Sequence, residues 1–399
     1  MFSGSGTEAH EMAADCKYDC IVVGAGVLGS STAYQLAKDG YSVLLLDQFT
    51  LPHSRGSSQG AVRLLRYPFA DHRLNAAMPE QYQMWHQLER EACTVLTHKI
   101  PMLTITPSRS EVFQNKFSTT RKSGLACSEM SEAQLKERFP MLEFPGHVTY
   151  LQDECLTIDA HKAVQCLQNQ FVRHGGTIQD NDKVLRIEPG PVVTVHTQGG
   201  GLYRAKGVVL APGPWASGLL KPLGLDFPLK VWRVNVCYFK EKVPDSHNEI
   251  PFVFYHPDES VEEVIVAFPS REYPGLVKVN YHLLWNNIDP DHRESGSQNE
   301  QIDVEGMKAF VRAHLPGLEP EPAIIEPCLY TATPKEELIV GTHPLHSNIA
   351  ICCAMSGKGF KMAPLLGKVL GEMALGRPPS FDTSLISINR YLPSAKPKL

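Results

Sequence analysis

Several features are missing from this chain of 399 residues, and each absence excludes a class of function. No window reaches the roughly 18 consecutive apolar residues that a membrane-spanning helix needs. Basic charge is not in excess: 38 Lys and Arg stand against 43 Asp and Glu, for a formal net charge of −5. No basic stripe runs along any segment, so a nucleic-acid partner has no electrostatic footprint. There is no internal repeat and no low-complexity tract. The ten cysteines (Cys16, Cys20, Cys93, Cys127, Cys155, Cys166, Cys237, Cys328, Cys352, Cys353) follow no secretory leader, and no second pair completes Cys16 and Cys20 into a zinc ribbon. Reduced thiols of an intracellular enzyme are the reading, with no metal. Residues 1–17 carry neither an apolar core nor an arginine-rich amphipathic pattern and are expected to be a disordered lead-in. What remains is 43% hydrophobic and 20% charged, a soluble globular composition. The length suits two or three domains, or one large α/β domain with a second lobe.

The most informative stretch is Tyr18 to Asp47. An apolar run, Cys20 to Val23, leads into Gly24, Gly26 and Gly29. A helical pattern through Ala33, Leu36 and Ala37 stops at Gly40. A second apolar run, Val43 to Leu46, ends on Asp47. This is a strand, glycine turn, helix and strand, with an acid at the end of the second strand. Gly24 allows a tight turn, Gly26 lets backbone approach a pyrophosphate, and Gly29 lets the helix pack closely on the sheet. The helix N-terminus, at Val27 and Leu28, offers unpaired N–H groups to phosphate, and Asp47 would accept from a ribose diol. An adenine dinucleotide is expected, with nicotinamide or flavin left open.

After Asp47, residues 51–69 read as a Gly/Ser loop (Gly56, Ser57, Ser58, Gly60) with Arg63 and Arg66 at its far end. Arginines three apart share a face if the backbone turns helical, and a loop in this place runs toward the cofactor. A helix follows over 76–93, with Tyr82, Trp85 and Leu88 as a core stripe. Residues 100–106 read as a strand and 129–139 as a helix with Ser131 and Gln134 as a capping box. A helix over 159–174 precedes strands at 183–188, 192–196 and 202–206, then a buried strand, glycine turn and helix over 205–220. Segments 231–239, 252–255, 264–268 and 276–281 are strand-like without intervening helices, which suggests an antiparallel second lobe. Residues 283–300 read as loop and 304–314 as helix. Strands at 324–331, 337–341 and 348–353 lead back to a glycine turn and helix over 356–373. A period-2 strand would put Lys278 and His282 on one face.

Four separated segments carry a resemblance: the N-terminal fingerprint with GSSQGAVRLLR (56–66), YPGLVKVNYH (273–282), CLYTATPKEELIVGTHP (328–344) and MSGKGFKMAP (355–364). Together they make the chain similar to the monomeric sarcosine oxidase and L-pipecolate oxidase family of flavoproteins. The resemblance implies an α/β (α+β) fold: a Rossmann-like FAD-binding domain with an inserted antiparallel-sheet substrate domain. The FAD-binding domain would comprise 18–95, 150–226 and 325–390, the substrate domain 96–149 and 227–324, and the tail 391–399. It further implies FAD held covalently through Cys328, with Ser57, Arg63, Val184, Met355, Gly357 and Gly359 beside the cofactor. Lys278 would activate O2, with His282, Arg63 and Tyr330 in the catalytic group. Arg66 and Lys361 would hold the substrate carboxylate. The expected reaction oxidises a small secondary amino acid (L-pipecolate, sarcosine or L-proline) to an imine and yields hydrogen peroxide, in a monomer.

This chain departs from that family at several points. Gln59 and Lys358 stand where the family has histidine, Val266 where it has a substrate-side tyrosine, Gly341 where it has aspartate, and Lys335 replaces an acid. Val266 favours a bulkier N-substituted amino acid. A flavin-binding paralogue with reduced or lost turnover is the other reading, and an NAD-dependent dehydrogenase would need neither Cys328 nor Lys278. The final residues Pro397-Lys398-Leu399 resemble a peroxisomal address, which implies an import receptor as partner; the cytoplasm is the alternative.

Overall fold

A computed structural model describes residues 16–66, 72–258, 263–284, 286–293 and 300–392. All but residues 16 and 17 of the 1–17 lead-in, and the address at Pro397-Lys398-Leu399, lie outside the described residues. The chain begins β1 (Tyr18–Val23), α1 (Val27–Lys38), β2 (Val43–Leu46), β3 (Val62–Leu64), α2 (His72–Ala76), α3 (Met78–Ala92), β4 (Thr97–Thr106), α4 (Glu111–Lys122) and β5 (Cys127–Met130). It continues α5 (Glu132–Arg138), β6 (Val148–Asp159), α6 (Ala160–Arg173), β7 (Thr177–Gln179), β8 (Val184–Glu188), β9 (Val193–Thr197), β10 (Leu202–Leu210), α7 (Ala216–Leu220) and β11 (Lys230–Glu241). The last part is β12 (Phe252–Tyr255), β13 (Val264–Pro269), β14 (Leu276–His282), β15 (Asn286–Asn287), α8 (Glu300–His314), β16 (Leu318–Ala332), β17 (Ile339–His343), β18 (His346–Cys353) and α9 (Gly359–Ala374).

These strands form two sheets. The first runs β17-β18-β10-β1-β2-β7, with β9 pairing β10 and β8 pairing β9. Its centre is parallel: β1 with β2 and β10, and β10 with β18. Strand β1 is apolar on both faces because both are covered. Cys20 and Val22 pack with α1, α6 and α9, and Tyr18, Ile21 and Val23 pack beneath the β8–β9 side. That is why the segment reads as a continuous hydrophobic run rather than an alternation.

The second sheet runs β15-β11-β14-β13-β12-β4-β6-β3, with β16 on β11 and β5 on β6. The expected antiparallel pattern holds throughout 230–282, but β12 pairs β4 in parallel. Strand β14 shows the alternation a one-sided strand needs. Val277 and Val279 pack against Met307, Phe310 and Val311 of α8, while Lys278, Asn280 and His282 line the opposite side.

Some sequence expectations shift. Residues 62–64 are a strand paired with β6, not a helical turn. The 202–206 and 205–220 segments share one continuous strand, β10. The 283–300 region includes the short β15. Helix α8 begins at Glu300, and β16 starts at Leu318, six residues before the expected 324. Pairing also carries 62–64, 150–159 and 325–332 into the second sheet, because β3, β6 and β16 find their partners there. The Ser131–Gln134 capping box is present as read.

Candidate active site

A cavity of about 2010 Å3 lies between the two sheets, lined from Gly24 and Asp47 at one end to Arg66, Lys278 and Lys361 at the other. Its size exceeds the roughly 300–1,000 Å3 of a drug-sized pocket, as a dinucleotide plus a substrate would require.

The first-sheet end is built of main chain. Gly24 has φ +100, and a Cβ there would fall 2.4 Å from Ala211 O. At Gly29 a Cβ would fall 1.8 Å from Gly24 O, so α1 packs directly on the turn. Helix α1 starts after Gly26 with no side-chain cap and no acid in its first turn, so nothing of like sign opposes a phosphate. Val27 N–H donates to Ser58 Oγ at 2.9 Å, a contact the sequence reading missed although Ser58 stands in the quoted GSSQG. Asp47 does more than the expected ribose contact. Its carboxylate accepts Ala25 N–H at 2.7 Å and Phe49 N–H at 2.9 Å, bracing the glycine turn, and a carboxylate's remaining lone pairs can still take a diol. Leu28 and Val184 also line this end. Ser57 Oγ is buried with no hydrogen-bond partner among the described residues, a donor and acceptor left for a polar ligand. Glycine cradle, open helix N-terminus, orphaned hydroxyl and cavity volume all fit FAD.

The second-sheet end is built of side chains. Arg63 donates to Val62 O at 2.9 Å and Ser57 O at 3.2 Å, contacts Gln59 O, and lies 3.9 Å from Cys328 Sγ. Gln59 donates to Pro327 O at 2.7 Å, tying the glycine loop to the strand that carries Cys328. Lys278 is 6% exposed and donates to Glu272 at 2.9 Å. Burial pushes its ammonium below the ordinary lysine range and Arg63 adds to this, while Glu272 opposes it. Four residues on along the same strand, His282 lies 3.2 Å from Glu336 Oε2 and edge-on to Tyr330, with ring centroids 5.2 Å apart. Burial pushes the Tyr330 phenol up to about 12.

Arg66 stacks over Phe254 with its guanidinium carbon 4.3 Å from the ring centroid. Lys361 projects from the first turn of α9 and donates to Gly357 O at 3.2 Å. Burial, then Arg66, Lys358 and Arg63, bring its pKa down to about 7. The turn ahead of α9 holds Ala354, Ser356 and Gly357 at φ +55, +44 and +70, which aims this helix start at the cavity. A Cβ on Gly357 would fall 2.7 Å from Tyr330, and one on Gly359 2.8 Å from Met355 Cβ.

Every residue expected to bind cofactor or substrate or to take part in catalysis lines this one cavity, from Gly24 to Lys361, except Gly29, which packs beneath it. The departures divide. Val266 lines the cavity between Phe252, Phe254 and Phe268. Lys358 donates to Glu336 O at 3.0 Å, on the far side of the acid that meets His282. Gly341 is not in the wall; a Cβ there would strike Ile388 Cγ2 at 2.5 Å, so the glycine serves packing. Sequence reasoning missed Glu272, Glu326, Tyr238 and Asn280. Glu326 and Asn280 had a signal, being two positions from Cys328 and Lys278 on the same strands; Glu272, in a turn, had none.

Known proteins resemble this chain along most of its length. The FAD dependent oxidoreductase family profile matches residues 19–373. Peroxisomal sarcosine oxidase of Homo sapiens is 41% identical over 377 residues, covering 94% of this chain and 96% of that protein. Monomeric sarcosine oxidase of Bacillus sp. (strain B-0618) is 30% identical over 378 residues, covering 94% and 96%. Among solved structures, the open form of NikD, an unusual amino acid oxidase essential for nikkomycin biosynthesis, superposes with a TM-score of 0.82 at 24% identity, covering 93% of this chain and 97% of that one. The chain therefore belongs to the sarcosine oxidase family of FAD dependent oxidoreductases.

Proposed function

We propose that this protein oxidises a small secondary amino acid, of the sarcosine, L-pipecolate or L-proline type, and passes the electrons to O2 to give hydrogen peroxide. The observation that carries the reading is the cationic corner of the cavity. Arg66 and Lys361 share a buried space with Arg63 and Lys358, and burial first, then these neighbouring cations, bring Lys361 down to about 7. A carboxylate entering there removes the repulsion and takes a fork from Arg66 and a point charge from Lys361. Anchored in this way, the substrate has its amine and α-carbon directed toward Tyr330, His282 and Lys278. FAD, when bound, supplies the acceptor for the hydride leaving carbon. Lys278 places a fixed positive charge where reduced oxygen gathers negative charge. Arg63 and Tyr330 shape the space between, and the apolar wall at Val266 keeps water from the reacting carbon.

Cys328 is the residue for a thioether to the flavin, since its sulfur faces the cavity beside Arg63. Denatured wild-type protein should keep its yellow colour through acid precipitation, and Cys328→Ala should release it; colour washing out of wild type refutes the linkage. A panel of secondary amino acids scored for flavin bleaching without oxygen and for peroxide with it tests the main reading. Bleaching by none of them, or bleaching without peroxide, overturns it. Lys278→Met should slow reoxidation by about 10³-fold while leaving anaerobic reduction nearly intact.

Val266, amid Phe252, Phe254 and Phe268, favours one second reading: a bulkier N-substituent on the same amino-acid core. The panel separates the two by including N-benzyl and N-alkyl amino acids. The carboxyl-terminal Pro-Lys-Leu and the peroxisomal name of a relative at 41% identity support import into peroxisomes through a tail receptor. Activity as a monomer completes the proposal, since both walls of the cavity come from one chain.

A further inference from the structure

From Lys278 a chain of hydrogen bonds continues along the same face of the second sheet, with Glu326 also in the cavity wall. Lys278 Nζ donates to Glu272 Oε1 at 2.9 Å. Tyr238 Oη lies 2.9 Å from that same Glu272 Oε1 and 2.9 Å from Glu326 Oε2. Tyr273 Oη donates to Glu326 Oε1 at 2.6 Å. Tyr238 is fully buried, on β11 directly across from Lys278. Tyr273 is half-buried in the 270–275 turn, whose Arg271 and Pro274 are exposed. The chain thus runs from a buried cavity-wall cation to the surface.

The hydrogen count in this chain is uneven. Tyr238 has one hydroxyl proton and two carboxylate oxygens at hydrogen-bonding distance, so it donates to one at a time. The second short contact is an acid–hydroxyl bond only if the cluster holds one more proton. Glu272 Oε2 is buried without a partner among the described residues, and although burial works against its charge, Lys278 holds this carboxyl below the ordinary carboxylate range. Burial, and then the two carboxylates, push the Tyr238 phenol upward, so the tyrosine passes protons without ionising.

We infer that Glu272, Tyr238, Glu326 and Tyr273 form a proton relay that recharges Lys278 from solvent during oxygen reduction. This rests on the oxidase reading above. Dioxygen becomes hydrogen peroxide by gaining two electrons and one proton from the reduced cofactor, and a second proton from the protein. Lys278 gives this second proton from its ammonium. Glu272 returns a proton to the amine, Tyr238 gives its hydroxyl proton to Glu272 and takes one from Glu326, and Glu326 is refilled through Tyr273 from water. Each donor ends with the proton count it began with. With cofactor and substrate filling the cavity, this route spares Lys278 any need for bulk water on the cavity side. Relay residues here position and supply protons; none touches substrate.

Two measurements on the holoenzyme decide it. Stopped-flow reoxidation of Tyr238→Phe, which keeps the ring and removes the link, should be about 10²-fold slower. Its pH profile and solvent isotope effect should differ from wild type, and its anaerobic reduction by amine should not change. The groups bearing on that profile are Glu272, Arg63 and Cys328 around Lys278, and Glu326 and Tyr273 around Tyr238. Tyr273→Phe, at the half-exposed end, should reproduce the effect at a few-fold, covering the case that Tyr238→Phe folds poorly. The second measurement needs no turnover: infrared spectra of substrate-free enzyme should show a carboxylic-acid stretch that shifts in D2O and is lost in Glu326→Gln or Glu272→Gln. Unchanged reoxidation and pH profile in both Phe variants, or no such band in wild type, overturns the relay. If no secondary amino acid reduces the wild-type flavin, the substrate assignment fails separately, and the infrared result still decides for or against the relay.

Discussion

Around Gly24 the cavity wall is main chain, and around Lys278 it is side chain. The first end binds by turning backbone N–H groups and a helix terminus inward, with glycines that admit no Cβ. The second end gathers Arg63, Arg66, Lys278, Cys328 and Lys361 from four separate stretches of chain. The difference predicts two kinds of failure. Backbone sites are all-or-none, because a displaced backbone takes the helix with it. Side-chain sites are graded, because one group can be removed while its neighbours remain.

The largest effect should follow from breaking the backbone end. Gly29→Ala puts a methyl 1.8 Å from Gly24 O and 3.3 Å from Val22 Cγ1, and neither the turn nor β1 can retreat. Overpacking of this kind costs about 1–3 kcal/mol, and more where the struck atom is backbone. Protein purified from this variant should carry almost no flavin, read from its absorbance ratio, and should melt well below wild type. Full flavin content would mean that the close helix contact is dispensable, and the contrast between the two ends would be lost.

The same contrast explains what could be read in advance. Gly24, Gly26, Gly29 and Asp47 sit within one local unit whose residues depend on each other through short-range geometry, so their spacing was enough. Lys278 and His282 were paired by strand period alone, and Val277 and Val279 against α8 bear this out. That Lys278 meets Arg63 and Cys328 depends on β14, β16 and β3 converging across one sheet, and no local pattern encodes that; only the resemblance supplied it. Arg63 and Arg66 would share a face if their loop turned helical, and it does not. They share the cavity instead, Arg63 from β3 and Arg66 from the chain just past its end at Leu64. Glu272 and Tyr238 are not legible in the sequence because a turn acid and a core tyrosine look ordinary until the fold brings Lys278 and Tyr238 to the same Glu272 oxygen.

At the side-chain end, Arg66→Met tests the carboxylate anchor. Removing one partner of a buried charge pair costs about 2–5 kcal/mol, so kcat/KM should fall by about 10²-fold or more, mostly through KM. Flavin content should stay near wild type, which is the opposite of Gly29→Ala. Equal loss of flavin in both variants would show that the two ends are one cooperative unit. Arg66→Lys should restore only part of the loss, because an ammonium lacks the planar fork.

The smallest effect concerns Lys361 and is read through pH. Its pKa is about 7 in the substrate-free site, against 10.5 ordinarily. A bound carboxylate prefers the ammonium, so an inhibitor with a carboxylate and no amine should bind progressively more weakly as pH rises through about 7, losing up to about tenfold. Lys361→Met should bind it weakly and without that pH dependence. The linkage has the opposite sign for folding. Between about 7 and 10.5 the unfolded chain holds a proton on this lysine that the folded chain has released, so stability from this group rises with pH across that window. Lys361→Met should remove that slope and gain most, relative to wild type, at acidic pH. Inhibitor titrations and thermal midpoints across the same pH range therefore move in opposite directions in wild type, and a Lys361→Met variant flat in both confirms that one titrating group links them. If wild type showed no inhibitor step near neutral pH, Lys361 would be excluded as the titrating half of the anchor and Arg66 would hold the carboxylate alone.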